Sequence, residues 1–206
     1  MSFPTIGALA LLHSDRHRGR TDISVRVVRS LDDLQRVATL RALTYMAEQD
    51  CPYDEEFDGN DLCAMHLLAF EGREPAGTLR IRFFEGFCKI ERVCVDARRR
   101  GGAIFNHLLA HAVEIASRKG YRRALAYIQA RLEGTWDHVI QSFVVNRDTP
   151  FHFSNCSYLT LEIPIPEHPD AIRFDADPYV MLRPEGDWDV PGILDPPDQR
   201  EIPAAA

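Results

Sequence analysis

Three features of this 206-residue chain predict an α+β domain built on a mixed sheet. Short β-branched or alternating runs outnumber the helical ones. Two alternating runs, 76–84 and 87–95, are joined by Glu85-Gly86 as a hairpin would be, and one long amphipathic stretch separates residue 95 from the next strand-like run at 123. The order that results is β-α-β-β-β-α-β-α-β, with enough chain for one sizeable core.

Taken in order, residues 1–22 mix short apolar and basic pieces without sustained period and read as an arm. Ile23 to Val28 is rich in β-branched residues and reads as a strand. Ser30 stands as a helix N-cap, with Asp33 three residues on in a weaker form of the capping box, and Leu34, Val37, Ala38 and Leu40 to Tyr45 follow at helical spacing. Residues 46–61 are acidic and broken by Pro52 and Gly59, which makes them a loop or a short, loose helix. His66 to Phe70 is the next strand, with Glu71 to Pro75 as its turn. In the strand 76–84, Leu79, Ile81 and Phe83 alternate with Arg80 and Arg82. In the strand 87–95, strict alternation puts Lys89, Glu91, Val93 and Val95 on one face and Cys88, Ile90, Arg92 and Cys94 on the other.

After a break over 96–102, Ile104, Leu108, Ala112 and Ile115 mark the buried stripe of a helix that runs to Lys119 and stops at Gly120. Arg123 to Gln129 then returns as a strand parallel to 87–95, a crossover that is right-handed in nearly all proteins. Trp136 to Val145 reads as a further helix and Tyr158 to Ile165 as a late strand. Prolines at 164, 166, 169, 178, 184, 191, 196, 197 and 203 exclude long helices and central strands beyond that point. The organisation expected is therefore an arm (1–22), a domain (23–165) and a Pro-rich wrapping tail (166–206) with one short strand near Val180.

Charge and cysteine usage narrow the function. Thirty-one acidic against 24 basic residues give a net charge of −7, which argues against a general nucleic-acid binder. No run reaches the ~20 apolar residues of a membrane helix. The early apolar stretch Ile6 to Leu12 is interrupted by Gly7 and carries its basic residues on the wrong side for a secretory signal. The five cysteines are odd in number and lack CxxC spacing, so a reduced, cytoplasmic protein without a zinc ribbon or disulfide scaffold is expected. His107 and His111 stand four apart, but no Glu adjoins His107 as in HExxH, and no metal is expected.

The strongest chemical signal is the segment Glu91 to Ala103. A strand ends, Arg98, Arg99 and Arg100 follow with Gly101 and Gly102, and Ala103-Ile104 opens a helix. A helix start offers unpaired N–H groups and a partial positive charge, glycines admit close backbone approach, and guanidinium groups match phosphate geometry. Together these describe a pyrophosphate cradle, set against the plainer alternative of a solvated basic turn.

Here the sequence resembles the GNAT-type acyltransferases over roughly residues 23–130. Arg98-Arg99-Arg100-Gly101-Gly102-Ala103 fits their Arg/Gln-x-x-Gly-x-Gly/Ala loop. The resemblance implies a splayed mixed sheet flanked by helices. It implies that the pantetheine arm of acetyl-CoA, or of a longer acyl-CoA, pairs with Val93, Cys94 and Val95. It implies too that the amides of 98–104 (Arg98, Arg99, Arg100, Gly101, Gly102, Ala103 and Ile104) hold the pyrophosphate. Two departures are visible. Aligned on Leu108-Leu109 instead, the loop carries Phe105 where many members have glycine, and the aromatic-Tyr-x-x-x-Gly-Phe stretch that often supplies the general acid has no counterpart.

These departures are similar to a neighbouring branch, the autoinducer synthases and N-acyl amino acid synthases. Arg41 with Tyr45, Asp58 with Asp61, and Glu91 with Arg92 match its spacing, and by that resemblance Arg41, Tyr45, Asp58 and Asp61 contact the acceptor. Glu91 is the candidate general base for deprotonating an ammonium acceptor, against the alternative of a salt bridge to Arg80 or Arg82. Tyr158 is the candidate acid, with Tyr127 and His152 as others. The acidic residues at 50, 54–56, 58 and 61 attract a cationic amine or form a solvated loop.

The expected activity is acyl transfer from acyl-CoA to a small-molecule amine by direct attack in a ternary complex. Two alternatives are an acyl carrier protein-dependent N-acyl amino acid or autoinducer-type synthase, with Arg98 to Arg100 docking an acidic partner, and a non-catalytic module that binds acyl-CoA or a protein. A homodimer is allowed; a membrane or nucleic-acid partner is not expected.

Overall fold

The computed structural model describes residues 22–149, 151–153 and 156–196; the expected arm lies outside them but for Asp22. Eight strands form one sheet: β1 (Ile23–Val27), β2 (Met65–Glu71), β3 (Glu74–Phe84), β4 (Phe87–Val95), β5 (Arg123–Gln129), β6 (Phe143–Val144), β7 (Phe151–Phe153) and β8 (Cys156–Pro164). Their spatial order is β1-β2-β3-β4-β5-β8-β6, with β7 also paired to β8. β4 and β5 run parallel and the neighbouring pairs antiparallel, so the sheet is mixed as expected.

The long helix α3 (Ile104–Arg118) lies on one face, its apolar stripe packed on Leu67, Ala69, Leu79, Ile81 and Ile90. Gly77 is where helix and sheet meet most closely: a Cβ there would stand 2.9 Å from the Cys94 carbonyl oxygen and 3.0 Å from Ile104. The first helix α1 (Leu31–Arg41) covers the opposite face through Val37 and Leu40 against Leu68, Phe70 and Cys94. Ser30 caps it by accepting the Asp33 amide at 3.1 Å. Asp33 does not complete the box; its carboxylate takes Arg26 instead, at 2.7 Å. Beyond Arg41 the helix widens into a π-helical turn over Ala42–Ala47. The acidic segment 46–61 then contains the short helix α2 (Tyr53–Glu56).

β4 departs from its expected alternation. Thr78 pairs with Cys94 but Arg80 pairs with Glu91, so β4 carries one extra residue, and Arg92 adopts φ +52°. This is a β-bulge, and it resets which side of the strand each residue faces. Cys88 and Ile90 join the core under α3, whereas Cys94 joins the cluster under α1 and Val93 and Val95 turn back toward α3. The expectation that Cys88, Ile90 and Cys94 share a face is therefore corrected.

Two further corrections concern the C-terminal third. The helix expected over 136–145 is only α4 (Glu133–Asp137); the β-branched residues after it feed β6, whose Val144 pairs with Leu161. Near Val180 the chain forms not a strand but the helical turn α5 (Pro178–Leu182), with Pro178 at its first position and Asp177 accepting the Tyr179 amide at 2.9 Å.

The described part of the Pro-rich segment, residues 166–196, is tied down at several points. Ser117 donates to the Pro166 carbonyl at 2.7 Å, and Arg29 donates to the Glu185 carbonyl and pairs with Asp187, both at 2.6 Å. Trp188 inserts into the main core, only 6% exposed. Among the described residues no helix is long and apolar enough to cross a membrane.

Candidate functional site

A cleft opens where β4 leaves β5. The two strands pair only over Cys88↔Ala124, Lys89↔Leu125 and Ile90↔Ala126, while β5 continues along β8 to Gln129. Beyond Ile90 the arm Glu91–Val95 thus lies apart from β5, and the bulge at Arg92 bends it at that neck. The Val93 carbonyl accepts the Tyr45 hydroxyl at 2.7 Å, and the Val95 carbonyl accepts Arg100 Nε at 3.1 Å. Burial pushes the Tyr45 phenol well above its usual range, so it stays a donor. Gln49, just past the π-helical turn, accepts from Gln129 at 3.1 Å, linking that segment to β5. Cys94 is buried beside the cleft, its thiol pushed up to about 12 by burial.

At the outer end of β4, Asp96 caps a 3₁₀ turn over Ala97–Arg99 by accepting the Arg98 amide at 3.0 Å. Gly101 takes φ +81°, and a Cβ there would meet nothing within 4 Å, so the space before the turn is open. α3 then starts at Ile104 with no side chain capping its first turn. An uncapped helix start facing open space fits an anionic group. Phe105 does not fill that space; its ring meets Trp136 edge-on at 5.4 Å.

The three arginines of this turn are not free cations. Arg98 pairs with Asp96 at 2.7 Å, Arg99 with Glu71 at 2.9 Å and Arg100 with Glu48 at 2.7 Å. The hydrogen bonds from Arg98 hold the Asp96 carboxyl down at about 2.

Behind the neck lies a buried ionic network. Arg80 is wholly enclosed and reaches Asp58 at 2.6 Å, Asp61 at 2.7 Å and Glu91 at 2.9 Å. Arg41, equally enclosed, pairs with Glu56 and reaches Asp61 at 2.6 Å. From the bulge, Arg92 reaches Glu56 at 3.1 Å and donates to the Glu55 carbonyl at 2.6 Å. Glu91 also holds Lys89 at 2.7 Å, with Arg82 at 4.0 Å. Burial pushes Asp58 and Asp61 upward, but hydrogen bonds from Arg80 and Arg41 outweigh it and hold both carboxyls below the usual range. At Glu56 burial wins and its carboxyl sits above that range. His66, buried beside Asp61, is pushed below its ordinary value by burial.

The structure thus brings together Glu91 of β4, Arg41 of α1, and Asp58 and Asp61 of the acidic segment, three separate stretches of chain, with Tyr45 one helical turn from Arg41 holding the cleft wall. Glu91 makes the cross-hairpin salt bridge weighed from the sequence. Asp58, Asp61 and Glu56 turn inward onto arginines, so that part of the acidic run is not a solvated loop. Tyr158 stands apart from this network on β8, opposite Gln129 and stacked on Phe151 at 5.5 Å. Sequence reasoning named Glu56 only as one of the acidic run and missed its buried pairing, along with His66 and the inward reach of Arg92. The one available signal was arginine at 41, 80 and 92 among apolar neighbours, since a buried cation is tolerated only with carboxylates nearby.

Comparison with known proteins fits this geometry. The model of the acetyltransferase (GNAT) family matches residues 33–136, half of the chain. A Bacillus subtilis protein whose name assigns it to the acetyltransferases is 33% identical over 76 residues, 35% of this chain and 52% of its own, so the chain spans about half that relative's length. An acyl-CoA N-acyltransferase from Pseudomonas aeruginosa superposes with a TM-score of 0.61 at 22% identity, over 69% of this chain and 99% of that one. The CoA-dependent acyl-homoserine lactone synthase BjaI, solved with isopentyl-CoA, superposes at 0.58 with 18% identity, over 70% of this chain and 84% of its own. Sequence match, splayed mixed sheet and the turn before α3 agree: the chain belongs to the GNAT acetyltransferase family.

Proposed function

We propose that this chain is an acyl-CoA N-acyltransferase that transfers an acyl group, acetyl in the simplest case, directly to an amine. The observation that carries the reading is the parting of β4 from β5 beyond Ile90 and Ala126, beside an uncapped helix start with open space before it. The backbone of Val93, Cys94 and Val95 holds the pantetheine arm, and the turn from Arg98 to Ile104 holds the pyrophosphate. Acyl-CoA serves as co-substrate and brings the thioester. The amine nitrogen forms the new C–N bond and gives up its second proton, which returns through solvent to the group that protonates sulfur, while the C–S bond breaks and its electron pair leaves on sulfur, which takes up a proton. Glu91 accepts the proton of the acceptor ammonium, directly or through water. Tyr158 supplies the proton to the thiolate, and Arg41, Tyr45, Asp58 and Asp61 shape the acceptor side. Alignment of the reactants in one complex accounts for much of the rate. A carrier-protein donor is disfavoured, because Arg98, Arg99 and Arg100 each already meet a carboxylate of this chain.

The test is donor binding followed by turnover. Acetyl-CoA and longer acyl-CoAs raise the melting temperature in proportion to their affinity, and acyl carrier protein does not. With the best donor, Glu91→Gln lowers turnover by about 10²-fold or more while donor affinity stays within about twofold. Absence of any thermal shift refutes the acyltransferase reading, and an unchanged rate removes Glu91 as the base.

A further inference from the structure

At the foot of α3, away from the cleft, an ammonium stands among aromatic rings. Lys119 follows that helix at the end opposite Ile104, and its 15 residues at ~1.5 Å each put Lys119 ~22 Å from the 98–104 turn. Its Nζ lies 5.2 Å from the centre of the Phe83 ring and 5.6 Å from that of Trp188. Both distances fall within the ~6 Å over which a ring face holds a cation. Tyr121 stacks on Phe83 at 5.4 Å, and Glu185 meets the same Nζ at 2.8 Å.

These groups, with Ile172 and Met181, line a cavity of about 380 Å³. Small-molecule sites measure about 300–1,000 Å³ and combine apolar or aromatic walls with a few polar groups, as this one does. The Pro-rich segment supplies Ile172, Met181, Glu185 and Trp188, and the Ile172 amide ties it to α3 by donating to the Arg118 carbonyl at 2.7 Å. The pocket is therefore made by the docking of that segment and is no part of the donor cleft. Its rings are fixed in advance, because Trp188 belongs to the core and Phe83 and Tyr121 pack against it. Lys119 is the mobile member, a flexible stem with 25% of its side chain already exposed. Around the pocket Lys119, Arg118 and Arg29 face Glu185, Asp189, Asp170 and Asp187; with each group counted once, one carboxylate is in excess.

We propose that this pocket binds a small ligand bearing an alkylated ammonium, which takes the place of Lys119 Nζ beside the rings and keeps Glu185 as its counter-ion. One cation replaces another, so the charge of the site does not change. The exchange favours the ligand, because a lysine ammonium is strongly hydrated and returns to water at little cost. N-methyl groups gain instead by leaving water for the ring faces. The competing reading is a cage built only for the chain's own lysine. Neither reading depends on acyl transfer.

The experiment is calorimetric titration of the full chain with choline and with 3,3-dimethylbutan-1-ol, which has the same shape without the charge. Choline binds more tightly by about tenfold or more, as a desolvated cation–π contact requires. Lys119→Met removes the resident ammonium and raises choline affinity about fivefold, since the self-occupied state no longer competes. Phe83→Leu keeps an apolar side chain but loses the ring face, and it lowers choline affinity about fivefold while that of the alcohol holds. Melting curves verify the fold of each variant, and the comparison of the two ligands on the wild-type chain needs no variant at all. Equal affinity for choline and the alcohol, no binding of choline, or a choline affinity unmoved by either substitution overturns the inference. So does binding that appears only in Lys119→Met, which leaves the cage to the lysine. CoA titrated on the same samples keeps these outcomes separate from the donor site.

Discussion

Replacing Arg80 by methionine removes the guanidinium at the centre of the buried network while keeping a side chain of similar reach. Its size of effect follows from what each carboxylate retains. Glu91 keeps Lys89 at 2.7 Å and Asp61 keeps Arg41 at 2.6 Å, whereas Asp58 is left with Arg92 at 3.4 Å. Removing one member of a buried ion pair costs about 3–5 kcal/mol, mostly because the abandoned charge stays desolvated. With two of three carboxylates still paired, the low end applies, about 3 kcal/mol, or a fall in melting temperature of roughly 6–12 °C for a domain of this size. Lysine at this position keeps the charge but not the fork that reaches three partners, and loses roughly half as much. Urea denaturation followed by circular dichroism at pH 7 measures both. A methionine variant within about 0.5 kcal/mol of wild type would falsify the view that Arg80 fastens the 56–61 segment to the sheet.

Two other outcomes follow from the same coordinates of charge and space. Because burial lowers the folded-state pKa of His66 from 6.5, the unfolded chain binds its proton first as pH falls, so stability declines below pH 6.5 at a slope of up to about 1.4 kcal/mol per unit. Asp58 and Asp61, lowered from 3.8, add a second loss below that value, while Glu56, raised from 4.5, opposes them in the carboxylate range. His66→Gln flattens the first limb; parallel stability curves for variant and wild type between pH 7 and 5 exclude His66 as its source. Gly77→Ala forces a methyl to 2.9 Å from the Cys94 carbonyl oxygen and 3.0 Å from Ile104, which costs about 1–3 kcal/mol and pushes the start of α3 outward. CoA affinity should fall with it, and an affinity equal to wild type would separate the helix start from donor binding.

Much of the fold was readable from neighbours in sequence, since a period of two or of 3.6 needs only adjacent residues. That is why the hairpin 74–95, α3 and the return strand 123–129 were found in order. The bulge was not, because its left-handed residue is Arg92 rather than a glycine or asparagine, and no local rule announces arginine there. The short α4 failed for a related reason: Val139, Ile140 and Val144 suit a helix stripe by spacing but a strand by shape, and pairing with β8 decided it. At the site, Glu91 with Arg80 was visible as a cross-strand pair. The inward turn of Glu56, Asp58 and Asp61 was not, because it depends on arginines 15 to 36 positions away along the chain. The chemistry of the 98–104 turn was visible as a string of residues, but its electrostatics were not. Three arginines that read as free cations each have a resident anion.

The two carbonyls of the cleft wall carry one more consequence. The Val93 oxygen is already satisfied by Tyr45 and the Val95 oxygen by Arg100, whose guanidinium is held in turn by Glu48. A pantetheine arm that bonds either oxygen therefore shares it with a resident donor or displaces that donor. Where it displaces the donor, its measured affinity is a difference between two sets of hydrogen bonds, small beside either. Loosening the hold on a resident donor, as in Glu48→Gln for Arg100, tightens the pantetheine's hold without adding a single contact to it.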